Sequence, residues 1–218
     1  MAQLFHPSMK VISRASIIVF VVLLSAVTWV ASAIYRAGYT TEVNVPREQS
    51  IPFSHEHHVN GLGLSCEYCH TSVEVSSFAG IPPTNTCMTC HSQIWNTSPM
   101  LEPVRTSFAT GMPLEWVRVH DLPDFVYFNH SIHVKKGMAC QTCHGNVNMM
   151  PLIWRSYTLQ MQWCLDCHRA PEKFIRPVSE IYNFDYVPPK DQLAFGSTLV
   201  KQYNVNTKQL TDCSICHR

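Results

Sequence analysis

Ten Cys residues stand in this 218-residue chain, and every one belongs to a Cys-x-x-Cys pair followed at once by His. The five stretches are Cys66-Glu67-Tyr68-Cys69-His70, Cys87-Met88-Thr89-Cys90-His91, Cys140-Gln141-Thr142-Cys143-His144, Cys164-Leu165-Asp166-Cys167-His168 and Cys213-Ser214-Ile215-Cys216-His217. This is the attachment pattern of c-type haem. Two thiols form thioethers to the porphyrin vinyl groups, and the adjacent His is then held beneath the ring to bind iron from the proximal side. Two Cys-x-x-Cys pairs can also build a tetrahedral zinc site, and a single pair can be a thioredoxin-like redox motif. Neither alternative explains the invariable His. With only twelve His in the chain, its presence after all five pairs is not chance. Five covalently bound haem c groups are therefore expected. Ten Cys in an exported chain would otherwise suggest disulfides.

Electron transfer by six-coordinate iron needs a distal ligand at each centre. Seven His lie outside the motifs: His6, His55, His57, His58, His120, His130 and His133. His6 precedes the apolar segment described below and falls on the wrong side of a membrane. His55, His58, His130 and His133 are the foremost distal candidates because they recur in one pattern, with His120 as the fifth and His57 as the spare. By analogy with small multihaem cytochromes, which this pattern resembles, the first His of each pair is expected to serve the haem attached just downstream, and the second a neighbouring haem. Met149, Met150 and Met161 compete for one site, where a thioether would raise the potential. Their alternative role is to fill space against haem.

The recurring pattern defines the organisation. Phe53-Ser54-His55-Glu56-His57-His58 and Phe128-Asn129-His130-Ser131-Ile132-His133 both read Phe-x-His-x-x-His. The first Cys of successive motifs falls at 66, 87, 140, 164 and 213, with gaps of 21, 53, 24 and 49. Two related two-haem modules at about 51–91 and 128–168 follow, with a fifth haem at 213–217. The fourteen Pro, including Pro82-Pro83 and Pro188-Pro189, limit helices to short pieces. Aromatics such as Phe53, Phe78, Trp95, Phe125 and Phe128 are candidates to pack on porphyrin faces or fill the core.

Ahead of the modules, Ala15 to Tyr35 is a run of 21 residues without a charge. As a helix it would be about 31 Å long, enough for a hydrocarbon core of roughly 30 Å. Lys10 and Arg14 precede it, and Trp29 and Tyr35 lie toward its other end, as expected of a segment whose N-terminus stays inside. Ala31-Ser32-Ala33 offers a cleavage site, but the run exceeds a usual signal core, so an uncleaved anchor is the expectation. Ser25, Thr28 and Ser32 share one helix face that suits close packing on another membrane helix.

The expected fold class is thus a multihaem cytochrome c, with one N-terminal transmembrane helix followed by a haem-packed region of short helices and much irregular structure. Residues 1–14 are read as a cytoplasmic N-terminus, 15–35 as a transmembrane signal anchor, 36–50 as a tether and 51–218 as a pentahaem domain. Bacterial c-type maturation occurs outside the cytoplasmic membrane, which puts that domain on the periplasmic side of a single-pass protein in contact with lipid. A charged content of 14% and a formal net charge of +1 argue against a nucleic-acid partner.

One anchor, five motifs and the paired Phe-x-His-x-x-His resemble the pentahaem cytochrome c subunit of alternative complex III, a bacterial quinol:electron-acceptor oxidoreductase. The stretches carrying the likeness are Gly80-Ile-Pro-Pro-Thr-Asn-Thr-Cys87-Met-Thr-Cys90-His91, Val126-Tyr-Phe-Asn-His130-Ser-Ile-His133 and Met161-Gln-Trp-Cys164-Leu-Asp-Cys167-His168-Arg169. The resemblance implies integral-membrane quinol-binding subunits, an iron–sulfur subunit and a monohaem cytochrome c as partners. It implies a relay from quinol to a periplasmic cytochrome c or terminal oxidase. The competing readings are a stand-alone membrane-anchored quinol dehydrogenase and a substrate-converting multihaem enzyme. The last needs an open iron, and six plausible distal His for five haems argue against it. No acid–base or nucleophilic residue is required.

Overall fold

The computed structural model describes residues 5–217. Residues 1–4 of the expected cytoplasmic segment and Arg218 of the expected pentahaem domain lie outside the described residues. The chain divides into two units, 1–43 and 44–218.

The first unit is α1, Ser8–Arg36, followed by a single turn, α2, Gly38–Thr41. No Gly or Pro interrupts α1, and no residue of it is buried. Its most apolar window has a mean hydropathy of 2.6, which makes it long and apolar enough to cross a membrane. The helix outruns the uncharged stretch at its start, and Lys10, Arg14 and Arg36 flank that stretch. Several of its hydroxyls bond along the helix itself, as a membrane-crossing helix requires. Thr28 donates to the carbonyls of Leu24 and Ser25, at 3.0 and 2.9 Å. Arg36 donates to the Ser32 hydroxyl at 2.7 Å and its carbonyl at 3.2 Å. Two of the three small polar residues expected to face a partner helix are thus already engaged along α1 itself. Arg36 also sits in the last turn, where a cation complements the helix dipole.

The second unit is built from short helices: α3, Cys66–Cys69; α4, Thr84–His91; α5, Glu102–Thr110; α6, His130–Lys135; α7, Cys140–His144; α8, Met161–Arg169; α9, Gln192–Gln202; and α10, Cys213–Cys216. A π-helical turn covers Glu56–Gly61. No strand occurs among the described residues; Val126 and His217 form an isolated antiparallel bridge. Local chemistry sets these bounds. Pro82-Pro83 keeps the chain extended before α4, Pro103 opens α5, and Gly111 ends α5 at φ 73°. Asn129 caps α6 by accepting from the Ile132 amide at 3.3 Å, and Asp191 caps α9 through the Ala194 amide at 3.4 Å.

The segment expected as a free tether behaves differently from residue 44 onward. The Asn44 amide donates to the Arg155 carbonyl at 2.8 Å and the Arg47 amide to Ile153 at 3.0 Å. The Gln49 side chain pairs both ways with the Val117 backbone, at 2.8 and 3.0 Å, and Ser50 donates to Glu115 at 2.7 Å. Polar side chains that suggest a linker in sequence here serve as backbone partners for distant loops. Residues from Asn44 onward accordingly belong to the second unit.

Two small aliphatic clusters knit the unit. One joins Val73, Val134, Ala139 and Ile181, with Ala79 and Tyr182 against it. The other joins Ile51, Leu101 and Val104, with Met88, Leu114 and Trp116 around it. Between α6 and α7, Gly137 adopts φ 78°, and a Cβ there would lie 2.3 Å from the Arg176 carbonyl oxygen. The Arg176 amide donates to the Gly137 carbonyl at 3.0 Å, so the two strands of chain cross at the closest approach only glycine permits.

Candidate haem-binding sites

Each motif occupies one helical turn: α3, the end of α4, α7, the end of α8, and α10. A helical turn puts the two Cys, three residues apart, on one face. All ten Cys are free thiols, so no disulfide closes any pair.

Four of the five motif His rings are oriented by backbone carbonyls. His70 Nδ1 lies 2.7 Å from the Gly80 carbonyl, His91 Nδ1 3.1 Å from Ile94, His168 Nδ1 2.7 Å from Leu210 and His217 Nδ1 3.3 Å from Phe125. The same holds for His58 with Ser54 at 2.8 Å, His130 with Ser77 at 2.9 Å and His133 with Asn129 at 2.7 Å. A carbonyl can only accept, so Nδ1 carries the proton in all seven rings. Nε2 of a neutral ring is then left with its lone pair, the tautomer and orientation that a metal ligand needs.

Five of these rings, together with His144, meet in pairs. His58 and His91 have centroids 6.2 Å apart, His133 and His168 6.2 Å, and His130 and His144 6.4 Å, the last with ring planes only 9° apart. Metal–imidazole bonds are about 2 Å long and a ring centroid lies about 1 Å behind its nitrogen, so two imidazoles on opposite sides of one ion have centroids about 6 Å apart. The observed spacing fits that arrangement. Among the described residues no group of three or more His, Cys, Asp or Glu is placed to hold a bare metal ion. A porphyrin supplies four ligands itself and asks the protein for two.

His55, His120 and His144 form a half-buried group. His120 lies 4.3 Å from His144, edge to face, and His70 acts electrostatically on His55. The Nδ1 of His55 and the Nε2 of His120 are buried without a hydrogen-bond partner. An unmet buried polar atom costs about 1–3 kcal/mol, and a metal or ligand group is what relieves it. Burial pushes His55 and His120 down to about 4 and His144 to about 3, and it also lowers His58 and His133. These imidazoles are neutral at pH 7 and able to ligate. Burial raises the thiols of Cys143 to about 12 and Cys167 to about 11. A hydrogen bond from Cys140 lowers Cys66 to about 7 and raises the Cys140 thiol in turn.

The remaining candidates are placed as follows. His57 runs parallel to Trp95, with centroids 6.3 Å apart, and lies edge-on to His58 at 5.3 Å. Met150 is fully buried, whereas Met149 and Met161 are exposed. His217 has Phe125 stacked at 5.8 Å. A cavity of about 560 Å³ opens between the third and fourth motifs, bounded by Thr142, Gly145, Tyr157, Trp163 and Cys167. Its volume is that of a cofactor pocket.

Sequence reasoning did not foresee what the repeated Phe does. Phe53 stacks on His58 at 4.5 Å and 25° and meets His55 edge-on at 4.9 Å and 90°. Phe128 repeats this with His133 at 4.5 Å and 26° and with His130 at 4.7 Å and 88°. One aromatic ring therefore sets two imidazoles at right angles. The signal was present in the Phe-x-His-x-x-His pattern, but its Phe was expected to face porphyrin or core. The carbonyls of Gly80, Ile94, Ser77 and Leu210 carry no residue-type signal at all.

Comparison with known proteins agrees with this construction. Residues 126–218 match the family described as cytochrome c7 and related cytochrome c. The chain is 37% identical over 99 residues to the menaquinone reductase, multiheme cytochrome c subunit, of Nitratidesulfovibrio vulgaris. That stretch covers 45% of this chain and 46% of the relative, so the likeness spans about half of each. The fold class is that of a multihaem cytochrome domain, and such domains hold haem c covalently. One N-terminal apolar helix precedes this domain of short helices and irregular chain.

Proposed function

We propose that this chain is a membrane-anchored pentahaem electron-transfer subunit of a quinone-linked complex. The observation that carries the reading is the set of opposed imidazole pairs, His58–His91, His130–His144 and His133–His168, at 6.2 to 6.4 Å. In this reading the ten motif Cys hold five haem c groups, and His70, His91, His144, His168 and His217 are the proximal ligands. His58, His130 and His133 are the distal ligands of the second, third and fourth sites. His55, on which His70 acts electrostatically, is the candidate for the first, and His120, beside His144, completes the candidate set.

Haem c supplies one-electron chemistry at iron. The protein's residues do the rest. Carbonyls fix the imidazole tautomers, Phe53 and Phe128 hold the ring planes, and burial keeps the ligands neutral. At the second, third and fourth sites an imidazole on each side would leave the iron no open position, which favours relay over substrate turnover there. One membrane helix cannot enclose a quinone, so that site belongs to a partner.

The relative's name links a multihaem subunit to menaquinone, and the resemblance to the pentahaem subunit of alternative complex III points to quinol as donor. The proposed partners are integral-membrane quinol-binding subunits, an iron–sulfur subunit and a monohaem cytochrome c. The haem domain faces the periplasm, and electrons leave to a soluble cytochrome c or a terminal oxidase.

Purification from native membranes in mild detergent, with haem counted by mass, tests this. Co-purification with polytopic subunits and an iron–sulfur protein is expected. A chain that emerges alone and is still reduced by quinol is instead a stand-alone quinol dehydrogenase. A chain without covalent haem overturns both.

A further inference from the structure

The geometry points to a single file of redox sites in the spatial order second, first, third, fourth, fifth motif. The two ends of the file are then Cys87–His91 and Cys213–His217. The inference rests on the reading that each motif holds a haem, and it departs from the order of the motifs along the chain.

Each neighbour relation has its own contact. The second site joins the first where Tyr68 of α3 meets Thr89 of α4, hydroxyl to hydroxyl at 2.9 Å. The first joins the third through Val73, three residues past His70, which packs in one cluster with Ala139, the residue before Cys140. The Ser77 carbonyl, seven residues past His70, also accepts from both the amide and the Nδ1 of His130, at 3.1 and 2.9 Å. His130 faces the third motif. The third joins the fourth through α6, whose single turn presents His130 to His144 and His133 to His168. The fourth joins the fifth where His168 Nδ1 reaches the Leu210 carbonyl at 2.7 Å, three residues before Cys213. The Tyr127 amide also donates to the Cys216 carbonyl at 2.8 Å, next to Phe128.

The ends differ from the middle. Around the second motif, Cys87 and Met88 pack with Ile51, Leu101 and Val104, a cluster that includes no residue of the other four motifs. Cys90 at one end and Cys213 at the other are exposed, whereas both Cys of the first, third and fourth motifs are half-buried. Within such a file one electron moves per hop. The donor site is oxidised and its neighbour reduced, and no bond or proton moves. A membrane quinol supplies electrons through its partner subunit, and an oxidised c-type cytochrome removes them.

The test compares two variants of the full membrane-bound holoprotein, Cys66→Ala/Cys69→Ala and Cys87→Ala/Cys90→Ala. Haem is counted first by mass, and each variant should lose one haem. Loss of none in either variant refutes the haem reading itself, separately from the order. Spectroelectrochemical and EPR titration then counts the remaining haems whose potentials shift. The proposed order requires two shifted neighbours when the first haem is gone and one when the second is gone. A file in chain order gives the reverse, one and then two, and that result overturns the proposal. Where a variant does not accumulate, exchange NMR of the partly reduced unaltered protein reads the same pairwise couplings. The first site must couple strongly to two others and the second to one.

Discussion

Replacing His133 by Ala isolates one ligand pair. The ring faces His168 with centroids 6.2 Å apart, donates from Nδ1 to the Asn129 carbonyl at 2.7 Å, and stacks on Phe128 at 4.5 Å. If it ligates iron, His133→Ala leaves one of five haems without a distal ligand. The low-spin ferric EPR intensity should then fall by about one fifth, with a matching high-spin signal. Added imidazole should enter the gap and restore the low-spin intensity. If His133 only packs, the spectrum stays whole. The loss is then confined to one aromatic stack, about 0.5–1.5 kcal/mol, and one hydrogen bond, about 0.5–1.5 kcal/mol. Haem-resolved EPR before and after imidazole, alongside a thermal melt, separates the two. An intact low-spin spectrum with all haems attached, in a destabilised protein, refutes the ligand assignment.

His57→Ala, which removes a ring facing Trp95 rather than a motif His, should leave every low-spin signal in place by EPR. Gly137→Ala should destabilise by at least about 1–2 kcal/mol from its positive φ alone, and more from a Cβ 2.3 Å from the Arg176 carbonyl oxygen. A lowered midpoint in calorimetry checks this. Acid should weaken the fold in a defined window. His55 and His120 have folded pKa values of about 4 against an ordinary 6.5, so the unfolded chain binds more protons between those limits. Stability therefore falls as pH drops from 6.5 and levels off below about 4, by on the order of 3 kcal/mol per group. Denaturant melts across that range should show it, and a flat profile would count against neutral buried rings. Leu24→Arg in α1 should cost about 2.5–3.5 kcal/mol of membrane insertion and move the chain toward the soluble fraction on fractionation.

The chemistry of this chain is written in contiguous residues, and that is why so much of it reads directly. Cys-x-x-Cys-His needs only neighbours in sequence, and the Phe-x-His-x-x-His repeat shows itself by comparison within the chain. The short helices follow from Pro placement and from the motifs. What needs distant residues did not read. Gln49 and Ser50 look like linker because their partners, Val117 and Glu115, lie more than sixty positions away. His120 has no repeat to place it, and only the folded chain sets it beside His144. The order of the sites depends on Ser77, Val73 and Leu210, ordinary residues whose roles come from where the backbone returns.

The six residues of α6 carry a consequence for how the protein is made. His130 and His133, one turn apart, face motifs that emerge later in synthesis, so the helix waits as an unfilled template until α7 and α8 arrive. In the proposed file the first two sites can close together, and each later motif then adds at the same end. Growth never requires insertion between finished neighbours. Chains interrupted after the third or fourth motif would still present an unbroken, shorter file.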